Sequence, residues 1–235
     1  MTDNITPEPP AREVSGPGKQ KKGVFAHLPK AKGLIETEVV NEMTCGYCLA
    51  LDPRIVSFRP QPCTFDMSTG RAYPTKKELF SLFKGTGHSP IPYTPDFEAK
   101  TKNNRRVFFE VKHMFFLKRN ADTLLLPECF QEFGCRLVVV TNELLNKALE
   151  HNLRVLRSYY GQAPTPETLQ KLAATPDKKI RLQELSGVVG IPDDEIMRAV
   201  LSGQLSVDLR AARIGRMSLA TVVGQDKSHL EILPL

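Results

Sequence analysis

At 235 residues, with 41% hydrophobic and 25% charged residues, the chain can bury the core of one medium domain plus a small one. It has no apolar run as long as a membrane span and no apolar stretch of a signal peptide near its start, so the expected location is the cytoplasm. Five cysteines, an odd number, argue for reduced thiols over a disulfide framework.

The net charge is +6 and the sequence pI about 9.1. Residues 1–163 hold 23 Lys/Arg against 17 Asp/Glu, whereas residues 164–235 hold 9 of each. All the excess positive charge therefore falls in the first part, a footprint consistent with a polyanionic partner.

Residues 1–33, with five prolines and the cluster Lys19, Lys21 and Lys22, read as a disordered basic tail. From Gly33 to Leu51 the apolar spacing predicts a helix, which Asp52-Pro53 ends. Ile55, Val56 and Phe58 begin a strand reaching to about Met67. Residues 68–91 read as an insertion, in which Thr75 caps a short helix that stops at Gly85. A hairpin follows over about 93–112, then a helix over 121–133, with Pro127 expected near an end or a kink. Residues 136–141 suit a buried parallel strand, and 142–160 a long amphipathic helix.

This order predicts an α/β fold, a mixed sheet flanked by helices, over residues 34–161. Gln162–Pro166 reads as a linker. Over 165–235, three helices near 166–174, 180–189 and 193–202, then short strands at 204–209 and 217–223, predict a small winged-helix-like domain.

The hairpin YTPDFEAKTKNNRRVFFEVK raises the functional question. Glu110 and Lys112 share one face of their strand, and Val111 points the other way. A three-residue loop at Lys102–Asn104 would set Asp96 opposite Glu110 and Phe97 opposite Phe109. A two-residue loop at Asn103-Asn104 would pair Asp96 with Val111 instead. With the odd loop, one face carries Asp96, Glu110 and Lys112. Adjacent carboxylates repel unless a cation lies between them, and Mg²⁺ is the natural choice because one or two carboxylates suffice for it. Lys112 could then orient water and stabilise charge on phosphorus. An exposed hairpin with an incidental ion pair is the plainer reading of the same residues.

The run NEMTCGYCLALDPRIVSFRPQP (41–62), with Pro95-Asp96-Phe97 and Glu110-Val111-Lys112 after it, resembles TnsA-type transposon endonucleases. That family joins a helix bearing a glutamate, an Asp-Pro stop, a V-x-F strand, Gln-Pro, a PDF strand and an ExK strand. Its element order is that of the restriction-endonuclease-like PD-(D/E)xK nuclease core. The resemblance covers about residues 34–160. It implies Asp96, Glu110 and Glu42, ten residues before Asp52, as metal-binding carboxylates, Lys112 as a catalytic partner and Gln61 as a supporting residue. It further implies one or two Mg²⁺ ions, with Mn²⁺ able to substitute. The implied activity is DNA cleavage at transposon 5′ ends, beside a DDE-type transposase and an AAA+ regulator ATPase, in a bacterial cytoplasm near the nucleoid. A stand-alone restriction- or repair-type nuclease and a catalytically silent DNA-binding assembly subunit stay open as alternatives.

Lys76, Lys77 and Lys84 of the insertion, with Arg105, Arg106, Lys118 and Arg119, are candidate contacts to a DNA backbone, and equally solvated charges. Cys45 and Cys48 lie inside the Glu42 helix and read as core; Cys63 and His88 are the only residues a zinc site could recruit. Cys129 and Cys135 also read as core, and His113 is expected to pack or hydrogen-bond. The third helix of the last domain begins Pro192-Asp193-Asp194-Glu195, acids that would repel phosphates in a major groove. Arg210, Arg213 and Arg216 are left there as candidate backbone contacts.

Overall fold

The computed structural model describes residues 24–37, 40–119, 122–175 and 179–235. The described residues divide into two compact units, one of those from 24 to 46 with 55–142 and Leu235, the other of 47–54 with 143–234. Within the first unit, β1 (Val24–Ala26) pairs antiparallel with β2 (Ile35–Thr37). Ordered strand thus replaces the expected tail at 24–26 and the expected first helical turn at 35–37. Ile35 is fully buried, and this anchors the pair. The lysine cluster at 19–22 and Glu38 lie outside the described residues.

Helix α1 (Val40–Leu51) starts with Glu42 in its first turn, where a carboxylate suits the helix dipole. From Met43 onward nearly every side chain is buried, so the helix lacks a polar stripe. Asp52 closes it: its side chain accepts from the Arg54 backbone N–H at 2.8 Å and its own N–H donates to the Cys48 carbonyl at 2.9 Å.

β3 (Ile55–Pro60) ends short of the expected strand, because Gln61 adopts a φ of 40° and turns the chain. β4 (Thr64–Asp66) instead joins a separate small sheet, flanked by β5 (Arg71–Tyr73) and β6 (Pro92–Tyr93). Between these two strands lies α2 (Lys76–Phe83), capped as expected by the Thr75 hydroxyl, which accepts from the Glu78 N–H. Residues 68–91 are therefore built onto β4. Leu79 anchors them in full burial while Phe80 and Leu82 stay exposed.

β7 (Phe97–Thr101) and β8 (Arg106–Lys112) form the hairpin, and β9 (Leu137–Thr141) adds parallel to β8. The main sheet runs β3-β7-β8-β9 and is mixed, antiparallel except for its last pair. A short helix α3 (Met114–Arg119), not foreseen in the sequence, follows β8, and α4 (Asp122–Glu132) packs on β9. Pro127 lies inside α4, not near an end. It removes the bond to the Thr123 carbonyl, and burial of Phe130 against Phe65 and Phe108 offsets that loss. This aromatic cluster joins the small sheet to the main one.

In the second unit, α5 (Lys147–Leu156) is capped by Asn146 and buries Leu149, Asn152, Leu153 and Leu156. It packs on α8 (Asp193–Ser202), so the division falls at 142/143, earlier than the linker read at 162–166. α6 (Pro166–Ala173) precedes β10 (Lys179–Arg181) and α7 (Leu182–Gly187); β11 (Leu205–Val207) and β12 (Leu219–Val222) follow α8. The three strands form an antiparallel sheet in the order β10-β12-β11. No helix among the described residues is long and apolar enough to cross a membrane.

Asp66, fully buried at the end of β4, holds the insertion. It accepts from Ser68 Oγ at 2.8 Å and from the Ile91 N–H at 3.0 Å, and His88 Nε2 lies 2.8 Å away. Burial alone would raise this carboxyl; the bonds from His88, Ile91 and Ser68 outweigh it and hold the group well below the ordinary range. Asp66→Ala leaves these buried donors unpaired, at a cost of about 3 kcal/mol, and should lower the midpoint of thermal unfolding by about 6–12 °C. Because the folded value is depressed, the contribution is complete above the unfolded carboxyl value of about 3.9 and fades as pH falls toward the folded value. Wild-type and variant melting curves should therefore converge in strong acid.

Candidate active site

The hairpin adopts the odd loop. Phe97 pairs with Phe109 and Lys100 with Arg106, and Asn104 takes a φ of 62° at the third loop position. Asn tolerates this left-handed conformation, and the Thr101 hydroxyl supports it by accepting from the Arg105 N–H at 3.1 Å. Carried one residue further, the same register puts Asp96 across from Glu110. Phe97, Phe109 and Val111 are buried on the opposite face.

Asp96 is clamped from two sides. Its carbonyl accepts from the Gln61 N–H at 2.8 Å, and its Oδ2 accepts from the Val111 N–H at 2.7 Å. The bend at Gln61 thus fixes the residue through its backbone, which gives Gln61 a positioning part. Glu110 is buried on the central strand β8, flanked by β7 and β9. Its Oε1 pairs with the Lys112 ammonium, two residues on and on the same face, whereas its Oε2 is buried without a hydrogen-bond partner among the described residues.

The electrostatics follow from this crowding. Burial raises the Asp96 carboxyl well above the carboxylate range, and the Glu110 charge raises it further; the Val111 bond opposes both, and Glu42 adds a smaller push upward. Burial would lower the Lys112 ammonium, but Glu110, then Asp96 and Glu42, hold it above its ordinary value. Glu42, half-buried in the first turn of α1, therefore lies within electrostatic reach of both Asp96 and Lys112.

Tyr93 is a participant that sequence patterning did not single out. Its hydroxyl is buried beside the Glu110 carboxylate, near enough to interact but outside the geometry of a full hydrogen bond, so the Glu110 oxygen is left under-satisfied; burial, then the Glu110 charge and this contact, keep Tyr93 a neutral phenol. Its one sequence signal was adjacency to Thr94-Pro95-Asp96.

The other candidates scatter. Lys76, Lys77, Lys84, Arg105, Lys118 and Arg119 are exposed. Arg106 is exposed too but is bound to Glu98, which also accepts from Arg59 at 2.8 Å. His113 does not pack on the apolar face: the strand ends at Lys112, and His113 is exposed with its Nδ1 accepting from the Phe115 N–H at 3.2 Å. Cys129 and Cys135 are only half-buried, and Cys45, Cys48 and Cys63 are buried free thiols. Burial pushes the Cys63 thiol up to about 11 and Cys48 higher still, so neither is a ready nucleophile or ligand at neutral pH.

Among the described residues, no three His, Cys, Asp or Glu side chains gather into a ready-made metal cage. The groups able to take a hard cation are the Asp96–Glu110 pair, with Glu42 beyond them. An unpartnered buried carboxylate oxygen beside a second carboxyl suits a cation that keeps most of its waters. No known family's sequence pattern matches the chain, and no curated protein is significantly similar to it.

Asp96 retains its proton in the folded protein at pH values where the unfolded chain releases it. Folding of the metal-free protein is therefore penalised as pH rises from about 3.9 toward the raised folded value. Asp96→Asn, which keeps an oxygen for the Val111 N–H, should melt about 5 °C above wild type at pH 8 in chelator, with the gap narrowing toward pH 5.

Proposed function

We propose that the chain is a Mg²⁺-dependent DNA endonuclease with a PD-(D/E)xK-type core, acting as the TnsA-type subunit of a heteromeric transposase. The observation that carries this reading is the buried, unpartnered Oε2 of Glu110 beside the raised Asp96 carboxyl, with Lys112 bound to the same glutamate. That is a charge arrangement a structural hairpin has no need to build, since it costs stability. The order helix, strand, hairpin, helix, parallel strand in the first unit agrees with such a nuclease core. In the second unit, α6-β10-α7-α8-β11-β12 with its three-stranded sheet agrees with a winged-helix-like module.

Asp96, Glu110 and Glu42 would hold the metal; when bound, it would polarise a phosphoryl oxygen and lower the pKa of a bound water. Lys112 supplies a fixed ammonium on the same face, placed to orient the attacking water and to balance charge developing on phosphorus. Gln61 and the Val111 N–H keep Asp96 from swinging away when its proton leaves. Tyr93 presents a buried neutral hydroxyl beside Glu110.

The partners proposed are duplex DNA at transposon ends, a DDE-type transposase for the 3′ strands and an AAA+ regulator, in a cytoplasmic, nucleoid-associated setting. Acids at the start of α8 disfavour base reading by that helix, so site choice is assigned to the partners.

Excision assays with the full set of transposition proteins test this assignment. Asp96→Ala should reduce 5′-strand cuts by at least about a thousandfold, and Lys112→Ala by about a hundredfold or more, with 3′-strand cuts continuing. Undiminished 5′ cuts with Asp96→Ala would sink the assignment. The lack of a three-group cage among the described residues favours one second reading, a DNA-binding assembly subunit with a silent site. In that case excision would need the protein but be indifferent to both substitutions.

A further inference from the structure

Helix α3 leaves the sheet directly after Lys112, and its residues have no part in the site described above. One side chain, Leu117, is buried and pins it. Its start is fixed as well, since the Met114 N–H donates to Asn142 Oδ1 at 2.8 Å. Asn142 follows Thr141, the residue paired with Lys112 across β8 and β9. The helix is thus held beside the end of the catalytic strand.

What it turns outward is unusual for a surface. Phe115 and Phe116 are 50% and 63% exposed, with ring centroids 5.6 Å apart, edge to face. Lys118 and Arg119 are exposed on the same short helix, and the Arg119 guanidinium lies 4.2 Å from the Phe115 ring centroid. Arg119 therefore covers one face of Phe115, and the His113 ring meets Phe116 edge to face at 6.4 Å, yet half or more of each phenylalanine stays exposed. Two half-exposed aromatic rings flanked by two cations, without an acidic side chain on this helix, match the chemistry of a surface that binds nucleic-acid bases and phosphates together. A protein partner of ordinary composition explains the rings but not the charge.

We propose that Phe115 and Phe116 form a wedge that stacks on bases unstacked beside the phosphodiester being cut, while Lys118 and Arg119 hold the flanking phosphates. The proposal rests on the nuclease reading. Phe116 lies four residues beyond Lys112, a reach of at most about 14 Å, or some four base steps at about 3.4 Å each. Prising bases apart would free the scissile strand to enter a site whose carboxylates are buried at the foot of a hairpin.

The test uses the full chain with Ca²⁺ in place of Mg²⁺ and a short mixed-sequence duplex carrying a single-stranded branch. The chain contains no tryptophan, so Phe116→Trp introduces a sole indole fluorophore at the wedge, and Val188→Trp one at an exposed position of the second unit, away from every candidate DNA contact in sequence, as a control. DNA should quench the emission of the Phe116→Trp variant strongly and leave that of the control nearly unchanged. Phe116→Ala should weaken binding about tenfold at every salt concentration. Lys118→Ala with Arg119→Ala should instead flatten the slope of log affinity against log salt by about 1.8.

DNA binding with normal salt dependence, but with unquenched emission from the wedge indole and full affinity of Phe116→Ala, would overturn the wedge and leave the nuclease reading standing. Absence of DNA binding by any form would overturn both. Loss of self-association or of transposase binding by Phe116→Ala, with DNA affinity intact, would assign the rings to a protein interface and likewise refute the wedge.

Discussion

The Asp96–Glu110 pair constrains the first unit more than any other contact. Two carboxyls face each other at the base of a hairpin because the loop has an odd number of residues and because Asn104 can take the left-handed conformation that closes it. Neither carboxyl can move away. Glu110 belongs to a strand paired on both sides, and Asp96 is bound through its carbonyl to Gln61 and through its side chain to Val111. Repulsion that water would otherwise dilute is met instead by Asp96 keeping its proton, while Lys112 balances one oxygen of Glu110.

The surrounding elements can be understood as supports for this pair. β3 ends at Pro60, the N–H of Gln61 just beyond it meets the Asp96 carbonyl, and the chain then turns into a separate small sheet. Phe65, Phe108 and Phe130 fix that sheet to the main one, and Asp66 secures the insertion to it. The cost of holding a raised carboxyl is spread over an apolar core of ordinary kind. Such local conflict inside a consistent fold marks a place built for chemistry more often than one built for stability.

Much of this could be read from residue order. Counting the loop narrowed the register to two choices, of which the structure takes the odd one, and the Thr75 cap and the strand at 136–141 followed from local chemistry and apolar runs. What eluded such reading depends on contacts distant in sequence. The end of β3 is set by the turn at Gln61, whose N–H bonds to Asp96 just ahead of the neighbouring strand β7, and Asp66 gains its importance from His88 and Ile91, more than twenty residues away. Arg106 appeared available for DNA until Glu98, on the neighbouring strand, claimed it. Helix α3 is too short for periodicity to show, and α5 carries an apolar stripe that would suit either unit equally. Glu42 was legible only by resemblance, and its reach to Asp96 and Lys112 is electrostatic.

Calorimetric titration of the metal-free protein with Mg²⁺, run at pH 7 in two buffers of different ionisation enthalpy, addresses the pair directly. If Asp96 is held protonated by burial and by Glu110, binding must expel that proton, and the buffer dependence will report release of close to one proton per site. Saturable binding that releases no proton, or no binding at millimolar Mg²⁺, would contradict the account.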